Sequence, residues 1–195
     1  MLDSIKLSLV EFVYNDPDAI TLYLCKSVNN QLTDESSSEG CVNENDNVTD
    51  NMEWIKLLIS LDNANSAKDI EDIFDVDLFL TQVAYEYLAG SCDHFLNFGH
   101  NFGLYKPKND KWKLILNDFD GEFGQNVEMA ARGLEIDHND DFNTNYPTYS
   151  LKKWSKAIHL LYILVFKNST RFENILKNIV KDVSIQPHFS HILMN

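Results

Sequence analysis

Asp93-His94-Phe95-Leu96-Asn97-Phe98-Gly99-His100-Asn101, answered further on by Asn117-Asp118-Phe119-Asp120-Gly121, is the stretch that decides how this sequence is read. Between the two blocks lie Phe102–Lys106 and Trp112–Asn117, both β-like and separated by the turn sequence Pro107-Lys108-Asn109-Asp110. This pattern predicts an antiparallel hairpin. A hairpin returns to its starting point, so the acids before it and the acids after it share one open end. Neighbouring strands lie about 5 Å apart, which crowds carboxylates that are distant in sequence. Crowded carboxylates repel one another, and a divalent cation is the usual remedy.

The flanks of the hairpin read as helical. Asp77–Gly90 is the clearest helix: Val76, Phe79, Leu80, Val83, Ala84, Tyr87 and Leu88 fall on one stripe, and Gly90 supplies the stop. Met52–Ser60 is a short apolar helix anchored by Trp54, and Ser66 with Asp69 forms a capping-box-like start to the next. Leu151–Lys167 and Thr170–Lys181 form a second helical pair, with Ile158, Leu161, Leu164, Phe172, Leu176 and Ile179 as core candidates. Upstream, Ile5–Val13 and Ala19–Cys25 read as strands joined by Asn15-Asp16-Pro17-Asp18. Lys26–Asp50 is too polar to bury a core of its own and reads as a long loop or disordered insert. The expected class is α+β, predominantly α, with residues 1–50 set apart from a helical body over residues 51–195.

Bulk properties narrow the function. A chain of 195 residues with 44% apolar and 12% aromatic residues suits one globular domain. A net charge of −14 repels nucleic-acid backbones and suits recruitment of a cation that brings an anionic nucleotide close. No apolar run is long enough to span a membrane. The first residues carry no leader pattern, and because they read as the start of a strand, a true start upstream of Met1 is expected. Of three cysteines, Cys25 and Cys41 bracket the polar loop; a pair in an oxidising compartment and free thiols are equally compatible with the sequence. No Cys/His spacing matches a zinc site.

The grouped acids follow the logic of phosphoryl transfer by protein kinases. One Asp orients the attacking hydroxyl, a nearby Asn helps hold metal, and an Asp beyond a short hairpin binds magnesium. The protein supplies position and charge neutralisation rather than covalent chemistry. The sequence has no His-Arg-Asp run, and Asp118-Phe119-Asp120 stands where Asp-Phe-Gly is common, so an ordinary kinase is excluded.

Phe74-Asp75-Val76-Asp77 with Phe79-Leu80, Gly90, Asp93, His100-Asn101-Phe102, Leu104-Tyr105, Trp112, and Asp118-Phe119-Asp120 with Phe123-Gly124 together resemble the CotH (spore-coat-H) kinase-like family. Asn145-Tyr146-Pro147-Thr148-Tyr149 and Thr170-Arg171-Phe172 are similar to segments of its fungal members, so the resemblance runs in register from about Trp54 to Val180. It implies a kinase-like fold, here mainly the C-terminal lobe, that uses ATP and Mg2+ to phosphorylate proteins. It also implies a secreted or cell-surface setting and a protein substrate or surface partner. Carried over by position, Asp93 is the catalytic Asp, Asp118 the magnesium ligand and Asp120 a further metal candidate; Asn97 and Asn101 are the candidates beside the cofactor. The N-terminal lobe is expected to be incomplete, with about twenty residues of strand and only Lys6 and Lys26 as bases.

The remaining residues have quieter readings. His94 and His100 are expected to be structural, each through a ring nitrogen on a backbone carbonyl. Trp54, Trp112 and Trp154 read as core anchors, and Asp137, Asp140 and Asp141 as a solvated loop. Asn47-Val48-Thr49 and Asn168-Ser169-Thr170 fit glycosylation acceptors, which matter in a secreted protein. Two function classes stand: an atypical kinase, favoured by Asp93 and Asp118, and a non-catalytic surface adhesin or scaffold-associated domain, favoured by the short N-terminal lobe. A metal-dependent hydrolase fits less well, because no activated nucleophile stands out.

Overall fold

Helix α5, Val76–Ala89, is the spine of the molecule and forms for reasons visible in its own sequence. The Asp75 carboxylate accepts the Leu78 amide at 3.1 Å, and Gly90 ends the helix at φ 60°. Phe79, Leu80, Val83 and Ala84 are fully buried along one face. The computed structural model describes residues 6–123, 125, 148–156 and 158–185.

Within these residues the order is α1 (Leu7–Tyr14), β1 (Leu22–Cys25), α2 (Asp34–Ser37), β2 (Cys41–Asn43), α3 (Met52–Asp62), α4 (Ala67–Glu71), α5, β3 (Phe102–Tyr105) and β4 (Lys113–Leu116). A 3-10 turn at Phe119–Gly121 follows, then α6 (Leu151–Trp154), α7 (Ile158–Leu161), a π-helical turn at Tyr162–Phe166 and α8 (Thr170–Ile185). The fold is mixed α+β.

The strands form an antiparallel sheet in the order β2-β1-β3-β4. Alternation along β1 splits its side chains between two cores: Tyr23 and Cys25 join the main cluster, while Leu22 and Leu24 face a small one with Val10 and Tyr105. The main cluster holds Trp54, stacked on Tyr23 with centroids 4.8 Å apart, together with Trp112 and Trp154. All three tryptophans are core anchors.

Two expectations for the first fifty residues are corrected. The segment read as a strand over Ile5–Val13 is a helix, Leu7–Tyr14. Leu7, Val10 and Tyr14 are also spaced for a helix, and it is their face that packs on the sheet, leaving Phe12 exposed. The polar stretch after Cys25 is ordered: it contains α2 and β2, and a Cys25–Cys41 disulfide ties β2 to β1. β1 pairs with β3 and shares its sheet and main core with the helical body.

The polar stretch draws its order from distant partners. The Asn29 and Asn30 amides donate to the Phe98 and Gly99 carbonyls at 2.6 and 3.0 Å. Gly99 is at φ 60°, where a Cβ would stand 2.4 Å from the Asn30 carbonyl oxygen, so only glycine permits this approach. The expected capping box is present at Ser66 and Asp69. The long helix expected over Leu151–Lys167 is instead broken after Trp154 and passes through the π-turn.

Candidate functional site

The hairpin β3–β4 sets the site. Phe102 pairs with Leu116, so Asn101 and Asn117 flank the same end, and the Asn117 amide donates to the Asn101 carbonyl at 3.0 Å. Asp93 sits in the loop after α5, half-buried, with both carboxylate oxygens held. His100 Nδ1 lies 2.9 Å from its Oδ1, and Asn101 Nδ2 donates to its Oδ2 at 2.9 Å. Asn101 adopts φ 50°, a left-handed conformation that asparagine tolerates better than most residues and that turns its amide back toward Asp93.

The turn after β4 packs directly on this acid. A Cβ placed on Gly121 would stand 3.2 Å from the Asp93 Cβ, so the absence of a side chain there lets the Phe119–Gly121 turn close over it. Asp118 precedes that turn at φ 62°, ψ 73°, a costly backbone state for a residue with a side chain. Asp118 and Asp120 are exposed, and among the described residues neither carboxylate has a hydrogen-bond or ion-pair partner. Phe119 is edge-on to His94 at 5.2 Å and to Tyr85 at 5.9 Å.

Of the residues expected at a site, Asn101 bonds Asp93, and Gly121, the last residue of the turn that carries Asp120, packs on Asp93. Asn97 points elsewhere: it is buried, and its amide donates to the Trp154 carbonyl at 3.1 Å. Lys26, one of the two bases in the first fifty residues, is paired with Glu44 at 2.6 Å. Lys156 is a cation packed on the Asp93 loop; its amide donates to the Leu96 carbonyl, its Nζ lies 5.3 Å from the Phe98 ring centroid, and burial lowers its pKa. Asp75 and Asp77, which carry part of the family resemblance, have structural roles. Asp75 caps α5 and meets Lys113 at 3.0 Å, while Asp77 takes Arg171 from α8 at 2.8 Å. Gly124, the acids of 137–141 and Asn145–Pro147 lie outside the described residues.

A buried polar layer under the site was not apparent from the sequence. His94 Nε2 lies 2.8 Å from the Asn117 carbonyl, which can only accept, so this nitrogen carries a proton. Nδ1 lies 2.6 Å from Ser91 Oγ, and that hydroxyl also reaches Glu122 Oε1 at 2.9 Å. Burial raises the Glu122 carboxyl, against the lowering effects of Ser91 and His94. The layer fixes the carbonyl of the residue immediately before Asp118. Deeper still, Glu86 accepts the Leu96 amide at 2.8 Å, and burial pushes its carboxyl up to about 8. His94 does bond a backbone carbonyl as expected, whereas His100 bonds the Asp93 carboxylate instead.

Fold and site together define an α+β domain in which a loop acid, Asp93, is held by His100 and Asn101 and packed on by Gly121 of the turn after a hairpin. A protein-family model described as CotH kinase protein matches residues 2–192, and the chain belongs to that family. A relative, Invasin CotH3 of Rhizopus delemar, is 33% identical over 82 residues, 40% of this chain. The matched stretch spans 14% of that relative's length.

Proposed function

We propose that this domain is an atypical protein kinase that transfers the γ-phosphoryl group of ATP to Ser or Thr hydroxyls of secreted or surface proteins, with Mg2+. Its body corresponds to the C-terminal lobe of a kinase. The observation that carries the reading is Asp93, fixed through both oxygens by His100 and Asn101 and packed against the turn that bears Asp118 and Asp120. Membership of a family described as a kinase supports the same reading.

The donor set suits a hard cation. Asp118 and Asp120 offer unpaired oxygens, and Asn101, with its Nδ2 committed to Asp93, keeps Oδ1 as an acceptor. Among the described residues no three His, Cys, Asp or Glu side chains converge on one metal position, so a cation held by Asp118 and Asp120 would need further oxygens from the nucleotide and water. Bound Mg2+–ATP supplies the transferable phosphoryl group and neutralises its charge. Asp93 orients the attacking hydroxyl and accepts its proton, while His100 and Asn101 hold the carboxylate in one rotamer. The His94–Ser91–Glu122 layer holds the backbone that presents Asp118. The Cys25–Cys41 disulfide supports an oxidising, secretory setting.

Phosphate transfer from γ-labelled ATP to protein, with and without magnesium, tests the reading. Wild type transfers label only with magnesium, and Asp93→Asn falls by about 10²–10⁴-fold while still binding ATP. A wild-type chain that transfers no label removes the enzyme reading. The name of the relative, an invasin, supports a second reading: a non-catalytic surface-binding domain. That reading predicts cell-surface attachment that survives Asp93→Asn and Asp118→Ala unchanged.

A further inference from the structure

We propose that Asn47 and Asn168 are N-glycosylation sites, and that the glycan on Asn47 shields the open edge of the sheet at β2. The sequence contains two Asn-x-Thr triplets with a residue other than Pro in the middle, Asn47-Val48-Thr49 and Asn168-Ser169-Thr170. The fold exposes the asparagine and the threonine of both. The Cys25–Cys41 disulfide, four residues upstream of Asn45, belongs to an oxidising compartment, which is where such acceptors meet their transferase.

Local geometry leaves the reacting atom of each site available. At Asn47 the turn is closed by the backbone: its own amide donates to Asn45 Oδ1 at 3.1 Å, and the Val48 amide donates to the Asn45 carbonyl at 2.9 Å. The Asn47 side chain has no partner among the described residues. At Asn168, Oδ1 accepts the Thr170 amide at 3.1 Å and caps α8, which commits the oxygen and leaves Nδ2 free to react. The co-reactant is an oligosaccharide carried on a lipid pyrophosphate. Nδ2 loses a proton and bonds to the sugar anomeric carbon, while the bond from that carbon to the pyrophosphate oxygen breaks and the lipid pyrophosphate leaves with the electron pair.

The shielding role follows from position. β2 is a three-residue edge strand whose Val42 is 64% exposed, a template for pairing with another chain. Asn47 lies four residues beyond β2, the edge strand opposite β4 in the sheet order. A glycan there obstructs edge pairing.

The full chain, expressed behind a cleavable secretion signal in a eukaryotic host, is examined by intact mass and by gel mobility. Both are read before and after treatment with an amidase that removes N-glycans and leaves aspartate. Wild type is expected to shift by two steps; Asn47→Gln and Asn168→Gln each lose one, and Thr49→Ser keeps its step. Thr170→Ala, which preserves the Asn168 cap, also loses one step and separates lost acceptor chemistry from lost folding. Secreted, disulfide-bonded wild type at the bare polypeptide mass overturns the proposal, and a single step overturns the assignment of the unmodified site. In sedimentation Asn47→Gln is expected to self-associate while Asn168→Gln does not; equal behaviour overturns the shielding role.

Discussion

Replacing Glu86 with Gln separates the electrostatic cost of the buried layer from its packing. Glu86 is fully buried, its Oε2 accepts the Leu96 amide at 2.8 Å, and its Oε1 has no partner among the described residues. Burial, with a smaller push from Glu122, raises the carboxyl from 4.5 to about 8, so the folded protein holds a proton that the unfolded chain releases. The sign follows: this contribution to stability is complete below about pH 4.5 and is lost as pH rises toward 8, at no more than about 1.4 kcal/mol per pH unit. Across the whole window that amounts to at most roughly 5 kcal/mol, and local opening that hydrates the carboxylate lowers it. Gln keeps the acceptor for Leu96 and cannot ionise. Urea unfolding of both proteins near pH 5 should agree within about 1 kcal/mol. Near pH 8.5 the Gln variant should be the more stable by a few kcal/mol. A difference between the two that does not change with pH would refute the argument, because every other titrating group is common to both.

Other outcomes follow from single contacts. Gly121→Ala places a Cβ 3.2 Å from the Asp93 Cβ, so phosphate transfer should fall about 10–100-fold with little change in melting temperature, read by labelled-ATP assay and calorimetry. Gly99→Ala combines φ 60° with a Cβ 2.4 Å from the Asn30 carbonyl oxygen, and should cost about 2 kcal/mol or more in urea unfolding, with early hydrogen exchange in residues 26–40. Cys25→Ser with Cys41→Ser opens a loop with a sequence separation of 16 and should cost about 3 kcal/mol, measured against the oxidised wild type.

Local signals read well where local physics decided the outcome. The α5 stripe from Val76 to Ala84, its Gly90 stop, the Ser66–Asp69 capping box and the hairpin around Pro107–Asp110 formed as their residues direct, whereas Leu88, on the same stripe, is 46% exposed. The Leu7–Tyr14 segment satisfies both a two-residue and a helical spacing, and only the sheet beneath it, through Leu22 and Tyr105, selects the helix. Order between Cys25 and Asp50 comes from a disulfide and from amides landing on Phe98 and Gly99, partners dozens of residues away that composition does not reveal. In the site, Asp93 and Asp118 stood out because a hairpin joins their loops. Asn97 and Asn101 are equivalent in sequence, and the left-handed turn at Asn101 distinguishes them. The Ser91–His94–Glu122 layer draws on three separate positions with no spacing rule, so its legible trace was limited to His94, read as bonding a backbone carbonyl.

Magnesium-dependent ATP binding, measured by titration calorimetry on wild type and Asp118→Ala, bears most directly on the grouped acids. Saturable ATP binding that requires magnesium and disappears in Asp118→Ala is the predicted result. Wild type that binds no ATP, or binding equally strong without magnesium or without the Asp118 carboxylate, would contradict it.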